Sequence, residues 1–279
     1  METVAIVGVG LIGASFGLAL RKSGFTGEII GVSSERAIAG GLARGAISSS
    51  ATLPEAVKRA DLIYLAQPVE RIITTIPQLT LGLRSSTLVT DAGSTKEQIV
   101  ACATAHLPAG AFLGGHPIAG KETRGPDAAD AELFRNRPYV LTPQGPKHQH
   151  FEAFLGALQS LGARVFEMSP HEHDSTVALT SHLPQLLSTA LAATLSQQRN
   201  EKVTEIFGTG LLDMTRLAMS SADLWSSILS TNKRQVVESV EAFIRVLNEL
   251  KDTLGECEMD NTFAQAKSFS TIIRKLPLT

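Results

Sequence analysis

The chain reads TVAIVGVGLIG at residues 3–13, where a short apolar run with β-branched side chains leads directly into three glycines. Such a run is typical of a fully buried parallel strand, and apolar residues follow it at helical spacing. In a strand, turn and helix of this kind, the first glycine permits the tight turn, the second lets the backbone approach a pyrophosphate, and the third lets helix and strand pack closely. The turn is therefore predicted to bind a dinucleotide at a helix N-terminus through Gly8, Gly10, Leu11, Ile12 and Gly13.

Further strand-like runs alternate with helix-like segments along the first half of the chain. They lie at residues 28–32, 62–66, 88–90, 111–113 and 139–142. This alternation predicts an α/β fold with a doubly wound, mostly parallel Rossmann-type sheet covered by helices on both faces. After Phe166 the strand-like runs end and leucines recur at helical spacing, which predicts an all-helical second domain. We therefore predict a dinucleotide-binding domain at residues 1–168 and a helical domain for substrate binding and dimerisation at residues 169–279.

One long helix is predicted at about residues 222–254 because apolar residues form a broad stripe there at helical spacing. The stripe consists of Leu229, Val236, Val240, Phe243, Leu247, Leu250 and Leu254. It fits packing inside the helical domain and a dimer interface equally well, since long apolar helices serve both purposes. A homodimer formed through the helical domain is the expected assembly.

Composition narrows the class of protein. The chain has 279 residues and a formal net charge of -2, so it lacks the cationic field that nucleic-acid binding requires. Its two cysteines, Cys102 and Cys257, are far apart and outside any metal-ligand spacing, so neither a disulfide framework nor a metal site is expected. The low cysteine content fits a reducing cytoplasm, so a cytoplasmic location is predicted. No apolar run approaches the roughly 20 residues that span a bilayer, so the protein is predicted to be soluble.

The end of the second strand indicates which dinucleotide is preferred. An acidic residue there would bind the ribose 2′-hydroxyl of NAD, but this chain has Ser33, followed by Ser34 and Arg36. Hydroxyl groups and a guanidinium accommodate a 2′-phosphate, so NADP is favoured and NAD is possible, with Glu35 opposing the preference. Arg36 could instead be an ordinary exposed residue. Gln67 and Pro68 end another strand at the carboxyl edge of the sheet and are predicted to form a wall of the cofactor site.

Two polar residues follow later strands. Ser94 and Glu97 have the spacing of a capping box that starts a helix, although Ser94 could also present its hydroxyl to a substrate. His116 lies among glycines in GGHPIAG at residues 114–120, just after an apolar run. A lone histidine can be structural, but a neutral imidazole can also accept the proton of an alcohol whose carbon gives a hydride to a nicotinamide.

Four motifs together carry a family resemblance: VGVGLIGAS at residues 7–15, DAGSTK at 91–96, GGHPIAG at 114–120 and SHLP at 181–184. In order and spacing they resemble the prephenate/arogenate dehydrogenase family of tyrosine biosynthesis, and the resemblance covers essentially the whole chain. It implies oxidation of a cyclohexadienol at the ring carbon that bears the hydroxyl, with loss of the ring carboxylate as carbon dioxide.

The resemblance also implies roles for individual residues. His116 would assist deprotonation of the ring hydroxyl, and Ser94 would support that geometry. In the helical domain, His182 would lie at the edge of the active site and Arg216 would hold the ring carboxylate, for which a planar guanidinium is suited. Glu122 matches an acidic residue near the site in some relatives. Family members often carry a basic residue where this chain has Leu212.

Several functions fit these motifs. Prephenate is the expected substrate, and arogenate, which differs only in an amino group at the side chain, is the close alternative. A β-hydroxyacid or imine reductase would carry a catalytic lysine early in the second domain, and none occurs at residues 171–198. A non-catalytic NADP-binding sensor would keep the fold without turnover.

Overall fold

The computed structural model describes residues 1–255 and 258–276, so Cys257 lies outside the described residues. An eight-stranded sheet dominates the first part of the chain. Its strands are β1 (Thr3–Val7), β2 (Glu28–Val32), β3 (Ser49–Ser50), β4 (Leu62–Leu65), β5 (Leu88–Asp91), β6 (Phe112–Pro117), β7 (Pro138–Thr142) and β8 (Arg164–Glu167). They are arranged in the order β3-β2-β1-β4-β5-β6-β7-β8, and all neighbours are parallel except β6 and β7. The predicted doubly wound, mostly parallel sheet is confirmed.

Helices connect these strands and form the rest of the chain. The sheet is accompanied by α1 (Leu11–Lys22), α2 (Glu35–Ala43), α3 (Leu53–Arg59), α4 (Val69–Leu79), α5 (Glu97–His106), α6 (Phe151–Ser160) and α7 (Pro170–Val177). The later helices are α8 (Leu183–Ser196), α9 (Thr209–Thr215), α10 (Ala222–Thr231), α11 (Lys233–Asp252) and α12 (Glu258–Lys275). One compact unit covers Met1–Asp174, and a second begins at Ser175; the described residues of the second unit form helices joined by turns and loops, without a strand. The division between residues 168 and 169 stays a prediction.

Both faces of the sheet are apolar, which explains the uninterrupted apolar run in β1. Val4 and Ile6 face one core cluster, where Phe16 of α1 is fully buried. Their neighbours Ala5 and Val7 face the opposite cluster, which contains apolar residues of α3 and α4. Full burial of one large apolar side chain contributes roughly 1.5–3 kcal/mol, so the two clusters hold α1, α3 and α4 firmly on the sheet.

Strand β6 is longer than the sequence indicated. The apolar run 111–113 predicted only its first two residues, and His116 lies within the strand, opposite Val140 of β7. The strand continues through Gly114 and Gly115, where neighbouring atoms leave no room for a side chain. An added Cβ at Gly115 would lie 2.6 Å from the backbone oxygen of Asp91. Strand β8 was not predicted either, since it lies at the edge of the sheet and is only partly buried.

The antiparallel pair β6 and β7 keeps the intervening residues 118–137 at one edge of the sheet, where the Ile118 amide donates to the Pro138 carbonyl at 2.9 Å. This connecting segment lies over α1 and α2. The Asp130 amide donates to the Ser15 hydroxyl at 2.9 Å, and the Arg44 guanidinium donates to the Ala129 carbonyl at 2.8 Å. The segment is therefore fixed to the helices on either side of β2.

The second unit differs from the sequence prediction in one respect, because the helix expected at residues 222–254 is two helices. Helix α10 ends and α11 begins at Asn232, whose backbone leaves the helical region with φ -123° and ψ 28°. Asn232 is buried, and its side-chain nitrogen lies 3.3 Å from Nδ1 of His182. This tertiary contact accompanies the break, and it cannot be read from the apolar periodicity. Within the described residues, no helix is long and apolar enough to cross a bilayer.

Candidate active site

The glycine turn after β1 has the geometry of a dinucleotide cradle. Gly8 has φ +100°, and a Cβ there would lie 2.4 Å from the Ala66 carbonyl oxygen. A Cβ at Gly13 would lie 2.1 Å from the Gly8 oxygen, so α1 packs closely on the turn. By contrast, an added Cβ at Gly10 would have no neighbour within 4 Å. Gly10 is the N-cap of α1, so the helix has no side-chain cap there. Open space before an uncapped helix N-terminus fits a pyrophosphate.

Two further predicted cofactor segments adjoin this turn. The Gly8 amide donates to the Val32 carbonyl at 2.9 Å, which holds the end of β2 beside the turn. The residues that follow β2 are all exposed: Ser33, Ser34, Glu35 and Arg36. Gln67 lies against Gly8, with its side-chain Cγ 3.0 Å from the position of an added Cβ, and its oxygen accepts from the Thr75 hydroxyl at 3.0 Å. Pro68 is the N-cap of α4.

A buried ion pair fixes the strand that carries the histidine. Asp91 ends β5, and both its carboxylate and the ammonium of Lys96 are fully buried and bonded to each other. Asp91 accepts from the Gly115 amide at 3.0 Å, while Lys96 donates to the Gly115 carbonyl at 2.8 Å. Burial lowers the pKa of Lys96, and the nearby carboxylates of Asp91 and Asp174 oppose that effect. The backbone of Gly115, one residue before His116, is therefore held on both sides.

The ring of His116 contacts a second histidine, which in turn contacts a carboxylate. Nδ1 of His116 lies 2.8 Å from Nε2 of His173, and Nδ1 of His173 lies 2.7 Å from Oδ1 of Asp174. His173 and Asp174 are fully buried, whereas His116 is half-buried. Burial lowers the pKa of His173, so this imidazole is neutral near pH 7.

Asp174 also starts helix α5, and this corrects the predicted capping box. The backbone amides of Lys96 and Glu97 donate to the Asp174 carboxylate at 2.7 and 2.9 Å. The carboxylate of Glu97 instead contacts Nδ1 of His171 at 2.8 Å. The prediction that Ser94 and Glu97 form a capping box was wrong, because a carboxylate distant in sequence supplies the cap. Ser94 remains half-buried in the loop between β5 and α5.

The glycine turn and His116 share one edge of the sheet. Strands β1, β4, β5 and β6 are successive parallel neighbours, so their carboxyl ends lie at the same edge. Three strand spacings of about 4.8 Å separate β1 from β6 by roughly 14 Å. Ligands of doubly wound sheets bind at this edge. The glycine turn and the imidazole of His116 thus lie along the same edge of the sheet in the first unit.

The remaining predicted residues lie elsewhere. Glu122 is exposed in the connecting segment after β6, and Lys121 beside it pairs with Asp130 at 2.9 Å. In the second unit, His182 is buried at the end of a π-helical turn, Ala178–His182, a feature often found at functional sites. The ring of Trp225 lies 5.9 Å from the His182 ring and nearly perpendicular to it.

Arg216 begins a short 3-10 turn, Arg216–Met219, and is exposed. Two hydrogen bonds attach this turn to α8. The Gln185 side chain donates to the Leu217 carbonyl at 2.9 Å, and the Ala218 amide donates to the Ser188 hydroxyl at 3.0 Å. The position of Arg216 is thus set by polar residues buried on α8.

Sequence reasoning missed four residues of the network around His116: Asp91, Lys96, His173 and Asp174. Asp91 and Lys96 belong to the DAGSTK motif at residues 91–96, but the motif does not show that their side chains are buried. The signal for the other two was the adjacent pair His173-Asp174 at the start of a helix after the last strand. A histidine next to a carboxylate in that position is a candidate for orienting another side chain.

A glycine turn that fits a pyrophosphate and a histidine held in place by a second histidine lie on one edge of the sheet. This combination defines an NAD(P)-dependent dehydrogenase. Residues 16–167 match the family model described as prephenate dehydrogenase, nucleotide-binding domain, and residues 169–268 match prephenate dehydrogenase, dimerization domain. The chain belongs to the prephenate dehydrogenase family.

Individual relatives agree with this assignment. The prephenate dehydrogenase of Bacillus subtilis is 34% identical over 285 residues, covering 99% of this chain and 76% of that protein. Prephenate dehydrogenase from Aquifex aeolicus, in complex with hydroxyphenyl propionate and NAD+, superposes with a TM-score of 0.91 at 32% identity and covers 98% of each chain. Synechocystis arogenate dehydrogenase superposes with a TM-score of 0.85 at 28% identity, over 97% of this chain and 99% of that one.

Proposed function

We propose that this enzyme oxidises prephenate to 4-hydroxyphenylpyruvate and carbon dioxide with NAD(P)+ as the oxidant. The observation that carries the proposal is the position of His116 on the same sheet edge as the glycine cradle, with its ring held by His173. The bound nicotinamide would supply the hydride acceptor. A proton acceptor held close to the carbinol is what the protein itself must add.

In the proposed reaction, His116 takes the proton from the ring hydroxyl while the carbon that bears it loses its hydrogen as hydride. Cleavage of the bond to the ring carboxylate then releases carbon dioxide and makes the ring aromatic. His116 returns the proton to the phenolic oxygen, so no net proton is consumed. Ser94, in the loop after the adjacent strand β5, is proposed to hold the hydroxyl in line.

We propose that three residues act on the substrate. Arg216 pairs with the ring carboxylate, His182 lines the edge of the site and Glu122 acts near it. The guanidinium of Arg216 is suited to both oxygens of a carboxylate. The buried partners of the Arg216 turn support this role, because they restrict where that backbone can lie.

We further propose that NADP is preferred over NAD. The exposed residues after β2 include two hydroxyls and the guanidinium of Arg36, which favour a 2′-phosphate. Glu35 begins α2 and opposes this preference with its own charge. The relative from A. aeolicus binds NAD+, so cofactor choice within the family has to be tested on this chain.

A homodimer formed through the second unit is the proposed assembly. That unit has many exposed apolar side chains, among them Phe207, Leu247, Phe263 and Phe269. Such exposure is unusual for a monomer and is typical of interaction surfaces. The family model that matches this part of the chain is described as a dimerization domain.

A cytoplasmic location remains a prediction from the two distant cysteines.

The decisive experiment measures formation of the reduced cofactor with prephenate and with arogenate, each in combination with NAD and NADP. We expect the highest kcat/KM with prephenate and NADP. A higher value with arogenate would assign the alternative substrate, in line with the similarity to the Synechocystis arogenate dehydrogenase. Absence of turnover in all four combinations would contradict the proposal and favour a non-catalytic dinucleotide-binding protein.

A further inference from the structure

We propose that His173 and Asp174 are positioning residues that hold His116 as the tautomer protonated on Nδ1, so that Nε2 is the atom that takes the substrate proton. The inference rests on the proposed function, in which His116 accepts that proton. It assigns a reason to two buried polar residues at the end of the first unit.

The first step concerns the carboxylate. Asp174 accepts two backbone amides at the start of α5, at 2.7 and 2.9 Å. An ionised carboxylate has only acceptor sites, so the nitrogen 2.7 Å from its Oδ1 must be a donor. Nδ1 of His173 therefore carries a proton and donates it to Asp174. Because the same carboxylate caps α5, the rest of the helix resists its rotation.

The second step concerns the charge of His173. Burial lowers its pKa, and the ammonium of Lys96 acts in the same direction, while the carboxylates of Asp174 and Asp91 act against it. The imidazole of His116 also faces it. A neutral His173 with its proton on Nδ1 has a lone pair on Nε2. Nε2 is therefore an acceptor, and its neighbour at 2.8 Å, Nδ1 of His116, is the donor.

The third step gives the consequence at the reacting atom. In a neutral imidazole, the hydrogen bond that one ring nitrogen makes decides which of the two nitrogens carries the proton. With Nδ1 of His116 committed to His173, its proton-accepting nitrogen is Nε2. Protonation of Nε2 also makes the Nδ1 donor charged, and a charge-assisted hydrogen bond is stronger than a neutral one. His173 thus stabilises the protonated form of His116 that the reaction generates.

The tautomer can be measured directly by two-bond ¹H–¹⁵N correlation spectra of the histidine rings. The signal of His116 is assigned by its loss in His116→Gln. In the wild type we expect Nδ1 of His116 protonated and Nε2 unprotonated, and in His173→Leu we expect a shift toward the other tautomer. The matched control is His171→Gln, an exposed histidine on the same helix, which should leave the His116 signal unchanged. A wild-type His116 protonated on Nε2 would overturn the proposal.

Kinetics provide the second measurement. His173→Leu removes the acceptor and should lower kcat by about 10- to 100-fold, the size of effect known for residues that orient metal-binding histidines, with an unchanged Kd for the cofactor. His173→Gln places an amide oxygen near the former Nε2 and should recover part of the loss. Equal losses in the two variants, with a wild-type tautomer in both, would show a packing role and contradict the proposal. The spectra need no turnover, so an inactive wild type would refute the proposed function alone.

Discussion

The ammonium of Lys96 donates a hydrogen bond to the carbonyl of Gly115 at 2.8 Å and forms an ion pair with Asp91, and both side chains are fully buried. Replacing one member of a buried ion pair leaves the other charge without compensation, which costs about 3–5 kcal/mol. Lys96→Met should therefore lower the free energy of unfolding by that amount, as measured by urea denaturation. Combining it with Asp91→Asn should recover part of the loss. Equal stabilities of the wild type and Lys96→Met would show that the pair contributes nothing.

Gly115→Ala should displace β6, because the added Cβ would lie 2.6 Å from the Asp91 backbone oxygen. Overpacking of this kind costs roughly 1–3 kcal/mol, and the shift should reduce kcat through the adjacent His116. Thermal unfolding and steady-state kinetics measure the two effects. Gly156→Ala is the control, since nothing lies within 4 Å of its added Cβ. A Gly115→Ala enzyme with normal Tm and kcat would disprove the close contact.

His116→Asn should reduce kcat by about 100-fold or more, because it removes the proposed proton acceptor while keeping a small polar side chain. Cofactor affinity should be unchanged, since the glycine cradle lies roughly 14 Å away along the sheet edge. Fluorescence titration with NADPH measures the affinity and steady-state assays measure kcat. Retention of wild-type kcat would exclude His116 as the base.

Arg36→Ala should weaken NADP binding by about tenfold, equivalent to roughly 1.4 kcal/mol, and leave NAD binding unaffected. The reason is the loss of the guanidinium that is proposed to pair with the 2′-phosphate. Titration of each cofactor gives the two dissociation constants. Arg135→Ala, which removes an exposed arginine that pairs with Glu132, is the matched control. An equal loss for NAD and NADP would argue against contact with the 2′-phosphate.

Acidification should destabilise the protein through His173. Burial holds its pKa below the ordinary value, whereas in the unfolded chain the same group titrates at about 6.5. Below that pH the unfolded chain binds the extra proton, so the free energy of unfolding falls until the lowered folded-state pKa is reached. The Tm of His173→Gln should therefore decrease less than that of the wild type between about pH 7.5 and pH 5.5.

His148 contributes in the same direction, since burial also lowers its pKa, so His148→Gln is compared in parallel. The two variants separate the contributions of the two histidines. If acidification lowers the Tm of His173→Gln as much as that of the wild type, His173 is not the group responsible.

The sequence was sufficient for the parts of the fold that depend on local pattern. The β-branched run, the glycine turn and the apolar periodicity predicted β1, α1 and the doubly wound sheet, because burial on both faces leaves a direct trace in composition. The break at Asn232 and the cap on α5 were not predicted. Both depend on partners far away in the sequence, His182 in one case and Asp174 in the other.

The candidate site shows the same division. His116 was recognised from its glycine neighbours and from the family resemblance. His173 was not recognised, because no fixed spacing in the sequence relates a histidine to a second histidine that holds it. Their separation of 57 positions along the chain is closed only by folding.

The reversal of direction between β6 and β7 has a further consequence for how this enzyme can diversify. A parallel connection would have carried the chain away to the amino edge of the sheet before its return. The antiparallel pair instead leaves residues 118–137 directly after His116, outside the strand pairing that builds the sheet. Most of this segment is exposed or half-buried. Substitutions in this one surface segment can therefore change the surroundings of His116 while the sheet that carries His116 and the glycine turn is inherited intact.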